Sequence, residues 1–209
     1  MTKEFENNVA AVNKIHVIKL GGSLLDLSGL AARLGRFLQN CSAHQRLLIV
    51  GGGGVADLVR QFDTLHHLGK EHGHWLAVRA MHFNTHLVMS MVSRCRLVVD
   101  VDSCRAAWSA QEIAVVDPLA WLANLKGTVA DVPHQWTFTS DSIAARIAMQ
   151  VSADQLVLLK STSPPRGCGL KSAAAIGLVD PDFPVVAAGV PVIEVVNLRG
   201  DPKAGYVLK

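Results

Sequence analysis

The chain has 209 residues, half of them hydrophobic, enough to bury a full core as one globular unit. Its formal charge of +3 comes from scattered basic residues, so neither a nucleic-acid stripe nor a polybasic membrane anchor is indicated, and a small anionic substrate fits better. Four widely spaced cysteines without a CxxC, Cys41, Cys95, Cys104 and Cys168, argue against a zinc site or a secreted disulfide framework and suit a reducing cytoplasm.

A polar lead-in without an apolar signal core precedes the first element, and no apolar run approaches the ~20 residues that a membrane helix needs. From there "IHVIKL" reads as a strand, "LAARLGRFLQ" as a helix, "RLLIV" as a strand and "VADLVRQF" as a helix. This βαβα rhythm, with continuously apolar strands, predicts a parallel sheet covered by helices on both faces. In "HWLAVRAMHFNTHLVMSMV", Trp75, Val78, Met81, Thr85, Val88 and Val92 recur every three or four residues, which predicts one long helix presenting a core or subunit face. "RLVVDV" resumes a strand; "DPLAWLANL" starts a helix with Asp117 as N-cap and Pro118 at its first position. "SDSIAARIAMQ" is helical, "QLVLLK" a strand, and "STSPPRGCGLKSAAA" concentrates Pro, Gly and Ser, so a mobile loop is expected there. "DPDFPVVAAG" predicts a short helix and "VPVIEVVN" a last strand.

Two glycine clusters stand at strand-to-helix junctions: Gly21 and Gly22 with Ser23 after "VIKL", and Gly51, Gly52, Gly53 and Gly54 after "LLIV". Such junctions let bare backbone N–H groups approach an anion while a helix N-terminus adds favourable dipole. Either cluster alone is equally well a structural turn; two in adjacent units point to phosphate. Lys19, two residues before the first pair, can snorkel from a strand edge or reach that phosphate as a point charge. Asp141, opening "SDSIAARIA", can merely favour a helix N-terminus or orient Lys19 and a second cation. Lys160, at the end of a strand, and Lys171, in the expected loop, both remain candidates for that cation. Neither a P-loop nor a dinucleotide fingerprint with its matched acidic residue is present, and "HHLGKEHGH" lacks metal-site spacing, so no metal centre is expected. A substrate contact suits His74 better.

The ordered set K-x-G-G-S, GGGG, long helix, S-D-S-x-A-A and apolar strand resembles the amino-acid kinase superfamily, across nearly the whole chain after residue 14. Acetylglutamate, uridylate, aspartate and isopentenyl phosphate kinases belong to it. "HWLAVRAM" (74–81), "HQWTFTSDSIAARIA" (134–148), "VDPDFP" (179–184) and "VVNLRGDP" (195–202) further resemble the aminomethylfuran phosphate kinases of methanofuran biosynthesis. The resemblance implies a three-layer αβα sandwich with a mainly parallel sheet, as a single domain with an acceptor-side lobe (about 15–130) and a nucleotide-side lobe (about 131–209). It implies transfer of the ATP γ-phosphoryl group to a small phosphate monoester, giving a diphosphate, with Mg2+ arriving on ATP, in a cytoplasmic protein that forms a homodimer. Lys19, Asp141 and Lys160 would be catalytic; Gly21, Gly22, Ser23 and Lys171 would bind phosphate; Gly51 to Gly54, His74 and Arg79 would face the acceptor. The chain departs from the family at one place. Many members read T-D-x-D-G-x-Y where this chain has Lys160-Ser161-Thr162-Ser163-Pro164-Pro165, which leaves open an altered donor, another acceptor such as isopentenyl phosphate, or a non-catalytic nucleotide-binding or regulatory homologue.

Overall fold

The computed structural model describes residues 14–128, 131–200 and 205–208; the polar lead-in up to residue 13 lies outside the described residues. In chain order, β1 (Ile15–Leu20) runs into a 3-10 turn (Gly22–Leu24) and α1 (Leu30–Asn40). Next come β2 (Gln45–Val50), α2 (Gly53–His66), α3 (Gly69–Met89), β3 (Cys95–Val98), α4 (Val101–Ser109), β4 (Ile113–Val116) and α5 (Pro118–Leu125). The second half carries α6 (Ser140–Gln150), β5 (Gln155–Lys160), α7 (Leu170–Ala175), α8 (Phe183–Val186), β6 (Ile193–Asn197) and β7 (Gly205–Val207).

The strands form one sheet in the order β3-β4-β2-β1-β5-β6-β7, parallel except for the final β6–β7 pair. Alternation along β1 and β2 explains the two cores. Val17, Leu47 and Ile49 pack with residues of α3, α5 and α6, whereas Ile18, Leu20, Leu48 and Val50 pack with Leu34 and Leu38 of α1. Lys19 shares its face with Val17, which aims an otherwise apolar position at α6.

Most expected elements form, including the Asp117 cap, whose carboxylate accepts from Leu119 N and Ala120 N at 3.0 and 3.1 Å. Three regions differ. The strand expected over "RLVVDV" ends at Val98, because Asp100 caps α4 and accepts from Ser103 N at 2.7 Å. The expected loop after β5 contains a helical turn, α7, over its Ala-rich end. The short strands β4 and β7 complete the sheet without a periodic pattern long enough to announce them.

Candidate active site

Because β1, β2, β5 and β6 are parallel, their carboxyl ends lie along one edge, and chain order diverges to either side of β1 there, which is where open α/β sheets bind ligands. The two glycine loops leave β1 and β2 at this edge and touch backbone to backbone. A Cβ on Gly22 would sit 2.1 Å from Gly53 N, and one on Gly53, at φ +50°, would sit 2.6 Å from Gly22 O. Only glycine tolerates that approach. Gly21 N donates to Leu159 O at 2.8 Å and Gly51 N to Leu20 O at 2.9 Å, so each loop is anchored to the neighbouring strand. Asn84, buried on α3, donates to both Gly51 O and Gly52 O at 2.9 and 2.7 Å. It gives Gly51 O a partner in the interior and Gly52 O a second donor beside Ala56 N, which lies at 3.2 Å.

Asp141, in the first turn of α6, stands between two lysines. Lys19 Nζ lies 2.7 Å from Oδ1, and Lys160 Nζ donates to Oδ2 at 2.7 Å. The three side chains are between 4% and 12% exposed, so two cations and one anion leave a net positive charge almost out of water. Burial pushes the Asp141 carboxyl upward, but the Lys19 and Lys160 charges outweigh it and hold the group at about 2. Burial, then the Lys19 charge, push Lys160 down to about 8 despite Asp141. Ionised Asp141 therefore stabilises the fold above its ordinary value near 4, and that contribution disappears as pH falls through about 2. Lys160 is depressed too and has the same slope: the unfolded chain holds its proton more tightly, so charged Lys160 costs stability below about 8 and that cost is relieved as pH rises from about 8 toward its ordinary value. A bound polyanion relieves this cost, since it favours the ammonium form.

Asp141 is itself held by a second buried carboxylate. Asp180 accepts from Thr139 N, Thr139 Oγ1, Ser142 N and Phe183 N at 2.8–3.1 Å, and also from the Ser142 hydroxyl. Thr139 is the N-cap of α6 but makes no side-chain cap bond. Asp180 supplies that cap from 38 residues away and fixes the turn carrying Asp141.

A cavity of about 260 Å3 opens beside Lys19 and Asp141, with Gly22, Ser23, Gly52 and Gly53 at one end. Its body is walled by Val78, Met81, Trp136, Phe138 and the buried ring of His74. Trp136 Nε1 donates to Asp63 Oδ2 at 2.7 Å, and the Arg60 guanidinium lies 5.0 Å over the Trp136 ring while pairing with Asp57 at 2.7 Å. His74 stacks on His134 at 4.3 Å, and its Nε2 is buried without a partner. Burial, then the His134 charge, push His74 down to about 4, so the ring is neutral at pH 7.

Of the residues singled out from sequence, Lys19, Asp141, Lys160, the glycine loops, Ser23 and His74 are brought to this edge. Gly54 is exposed and outside the cavity lining. Arg79 is exposed on α3, where its guanidinium donates to Trp75 O, and it lines a different groove; the guanidinium at the cavity is that of Arg60, with the Lys19 ammonium beside it. Lys171 is exposed on α7 and does not line the cavity, so Lys160 is the lysine paired with Asp141. Asn84, Asp180, Arg60 and Trp136 escaped sequence reading. Asn84 was legible as a lone amide on an apolar helix; Asp180 gave no signal that distinguishes it from a turn.

Paired ammonium groups beside an anion-sized backbone cradle, on a doubly covered parallel sheet, define a phosphotransferase of the kinase class. Residues 14–164 match the model of the amino acid kinase family, and the chain belongs to that family. Solved structures of similar fold include uridylate kinase from Archaeoglobus fulgidus, with 18% identity and a TM-score of 0.61 over 90% of this chain and 92% of that one. UMP kinase from Ureaplasma parvum gives 12% identity and 0.66, covering 91% and 92%; that from Bacillus anthracis gives 12% and 0.59, covering 94% and 99%. No curated protein matches the chain in sequence.

Proposed function

We propose that the chain transfers the γ-phosphoryl group of ATP to a small phosphate monoester, giving a diphosphate, and that its acceptor is an aminomethylfuran phosphate. The observation that carries the transfer is the buried Lys19–Asp141–Lys160 triad against the two glycine loops. Its net positive charge and bare backbone N–H groups fit a triphosphate. Lys19 and Lys160 neutralise charge on the migrating group, and Asp141 keeps the two ammonium groups from repelling each other out of position. An ionised phosphate acceptor is already a nucleophile, so positioning does most of the remaining work. Among the described residues no three His, Cys, Asp or Glu side chains converge on a metal position, and Mg2+ is read as arriving on the donor phosphates.

The cavity supports the acceptor. Trp136, Phe138 and neutral His74 offer planar apolar walls for a ring; Asp57 offers a carboxylate for an ammonium group; Arg60 offers a guanidinium for the acceptor phosphate. An isoprenoid phosphate would fill the apolar walls but leave the unpartnered His74 Nε2 without use. In this reading residues from about 15 to 130 form most of the acceptor side and those from about 131 onward the nucleotide side, with Trp136 and Phe138 reaching back to wall the acceptor cavity. A homodimer is supported by the outer faces of α2 and α3. Val55, Leu58, Phe62, Leu65, Leu76, Phe83 and Leu87 there make up seven of the twelve exposed large hydrophobics among the described residues, and α2 has no buried residue. The two helices together carry three acidic and three basic residues, so a second copy meets no net repulsion. Phosphorus NMR with Mg-ATP and aminomethylfuran phosphate tests the acceptor: a new diphosphate signal is expected, and its absence while another monophosphate is converted would reject this acceptor.

A further inference from the structure

The rim on the β5–β6 side of the triad holds a set of polar contacts that the phosphoryl-transfer scheme does not use. Asn197 is the register partner of Lys160, and Leu198 N donates to Lys160 O at 2.9 Å, so the loop after β6 begins beside the triad. Ser23 and Ser161 hydroxyls hydrogen-bond at 3.1 Å, and Asn197 Nδ2 donates to Ser163 Oγ at 3.2 Å. Asn197 Oδ1 accepts from Arg199 N and Gly200 N at 3.0 and 3.2 Å, which shapes the loop so that the Arg199 side chain turns back over β1. There Arg199 Nη2 donates to Ser23 O at 3.0 Å and to Asp26 Oδ1 at 2.5 Å. The result is a closed ring through Ser23, Ser161, Ser163, Asn197 and Arg199 that joins the carboxyl ends of three neighbouring strands around the first glycine loop.

We infer that this ring is a clamp for the donor's polyphosphate, in which the Arg199 guanidinium passes from Asp26 to the donor and so acts as a further donor-binding residue. This rests on the kinase reading above. The Arg199–Asp26 pair is 40% and 75% exposed, so water competes with it and it is cheap to exchange. Phosphate offers the planar guanidinium a two-pronged, charge-assisted contact that the single Asp26 contact does not. Ser23 also lines the cavity beside Lys19, which puts the residue Arg199 already touches at the boundary between donor and acceptor. Asp26 is thus a competitor that occupies Arg199 while the donor is absent. Hydroxyls at Ser161 and Ser163 are neutral donors, suited to phosphate oxygens, where a carboxylate would repel them.

The test is titration calorimetry of the full chain with two probes, Mg-ATP and inorganic tripolyphosphate. The clamp predicts opposite shifts. Arg199→Ala weakens both probes by about tenfold and Arg199→Lys by less, because it keeps the charge but loses the fork, whereas Asp26→Asn tightens both by a few-fold because the competitor is gone. A strap with only a structural role would be loosened by either change, so Asp26→Asn and Arg199→Ala would then shift binding in the same direction. That outcome, or no shift in either variant while the wild-type chain binds, overturns the clamp and leaves the kinase reading intact. A wild-type chain that binds neither probe overturns both.

Discussion

The loops after β1 and β2 meet backbone to backbone, whereas the loops after β5 and β6 meet through exposed hydroxyls, an amide and a guanidinium. The first junction has no room for a single methyl group and is anchored by strand-to-loop bonds and by buried Asn84. Every contact in the second can be exchanged for water or for a ligand at small cost. Between them sits the triad, whose carboxylate comes from a helix turn fixed by buried Asp180. Under the proposed function, rigidity falls on the side that holds the transferring group in line and exchangeability on the side where a polyphosphate enters and leaves.

The sharpest way to break this contrast is at the triad. Lys19→Met is expected to lower turnover on the order of 100-fold or more, as loss of one transition-state donor does, while thermal unfolding changes little because Asp141 keeps Lys160. Steady-state kinetics and calorimetry on the same sample check both halves; wild-type turnover in the folded variant would remove Lys19 from the chemistry. Gly22→Ala tests the rigid junction. Its Cβ would have to displace Gly53 N, which is backbone, so a loss of about 1–3 kcal/mol and a midpoint lower by roughly 2–12 °C are expected. An unchanged midpoint would mean the loops are not tightly apposed.

Titration sharpens the electrostatic side. Lys160 loses its proton near pH 8 in the free protein, and transfer needs the cation, so kcat/KM is expected to fall about tenfold per pH unit above 8. Lys160→Arg should remove that alkaline limb, since a guanidinium stays charged there. A flat profile through pH 9.5 would take Lys160 out of the reaction. On the exchangeable rim, Ser161→Ala should raise the donor KM only a few-fold, by about the net value of one hydrogen bond. A hundredfold effect there would show that the rim is as rigidly required as the glycine junction. Phe62→Glu, on the exposed face of α2, should abolish the proposed dimer, leaving a monomer in sedimentation velocity with the fold unchanged.

The same contrast explains what could be read in advance. Glycine pairs at strand ends, Lys19 in an apolar strand and Asp141 at a helix start are local irregularities, each visible against its own periodic background, and they mark the rigid half of the site. The cavity body and the rim depend on contacts across 34 to 176 residues, between ordinary-looking residues such as Trp136, Asp180, Asn197 and Arg199. Arg79 and Lys171 carry charge near a motif, but helix phase turns Arg79 outward and α7 carries Lys171 onto the surface. Short β4 and the cap-driven start of α4 were hidden for the reason that four or five residues cannot display a period.

Phosphoryl transfer onto a phosphate monoester at the proposed site can be followed atom by atom. Phosphorus NMR would follow Mg-ATP with aminomethylfuran phosphate in the presence of wild-type protein and of Lys19→Met. A diphosphate product and ADP are expected in equal amounts with wild-type protein, and almost none with the variant, if transfer takes place there. Mg-ATP that is bound but never converted, with this acceptor or any other small monophosphate, would contradict it.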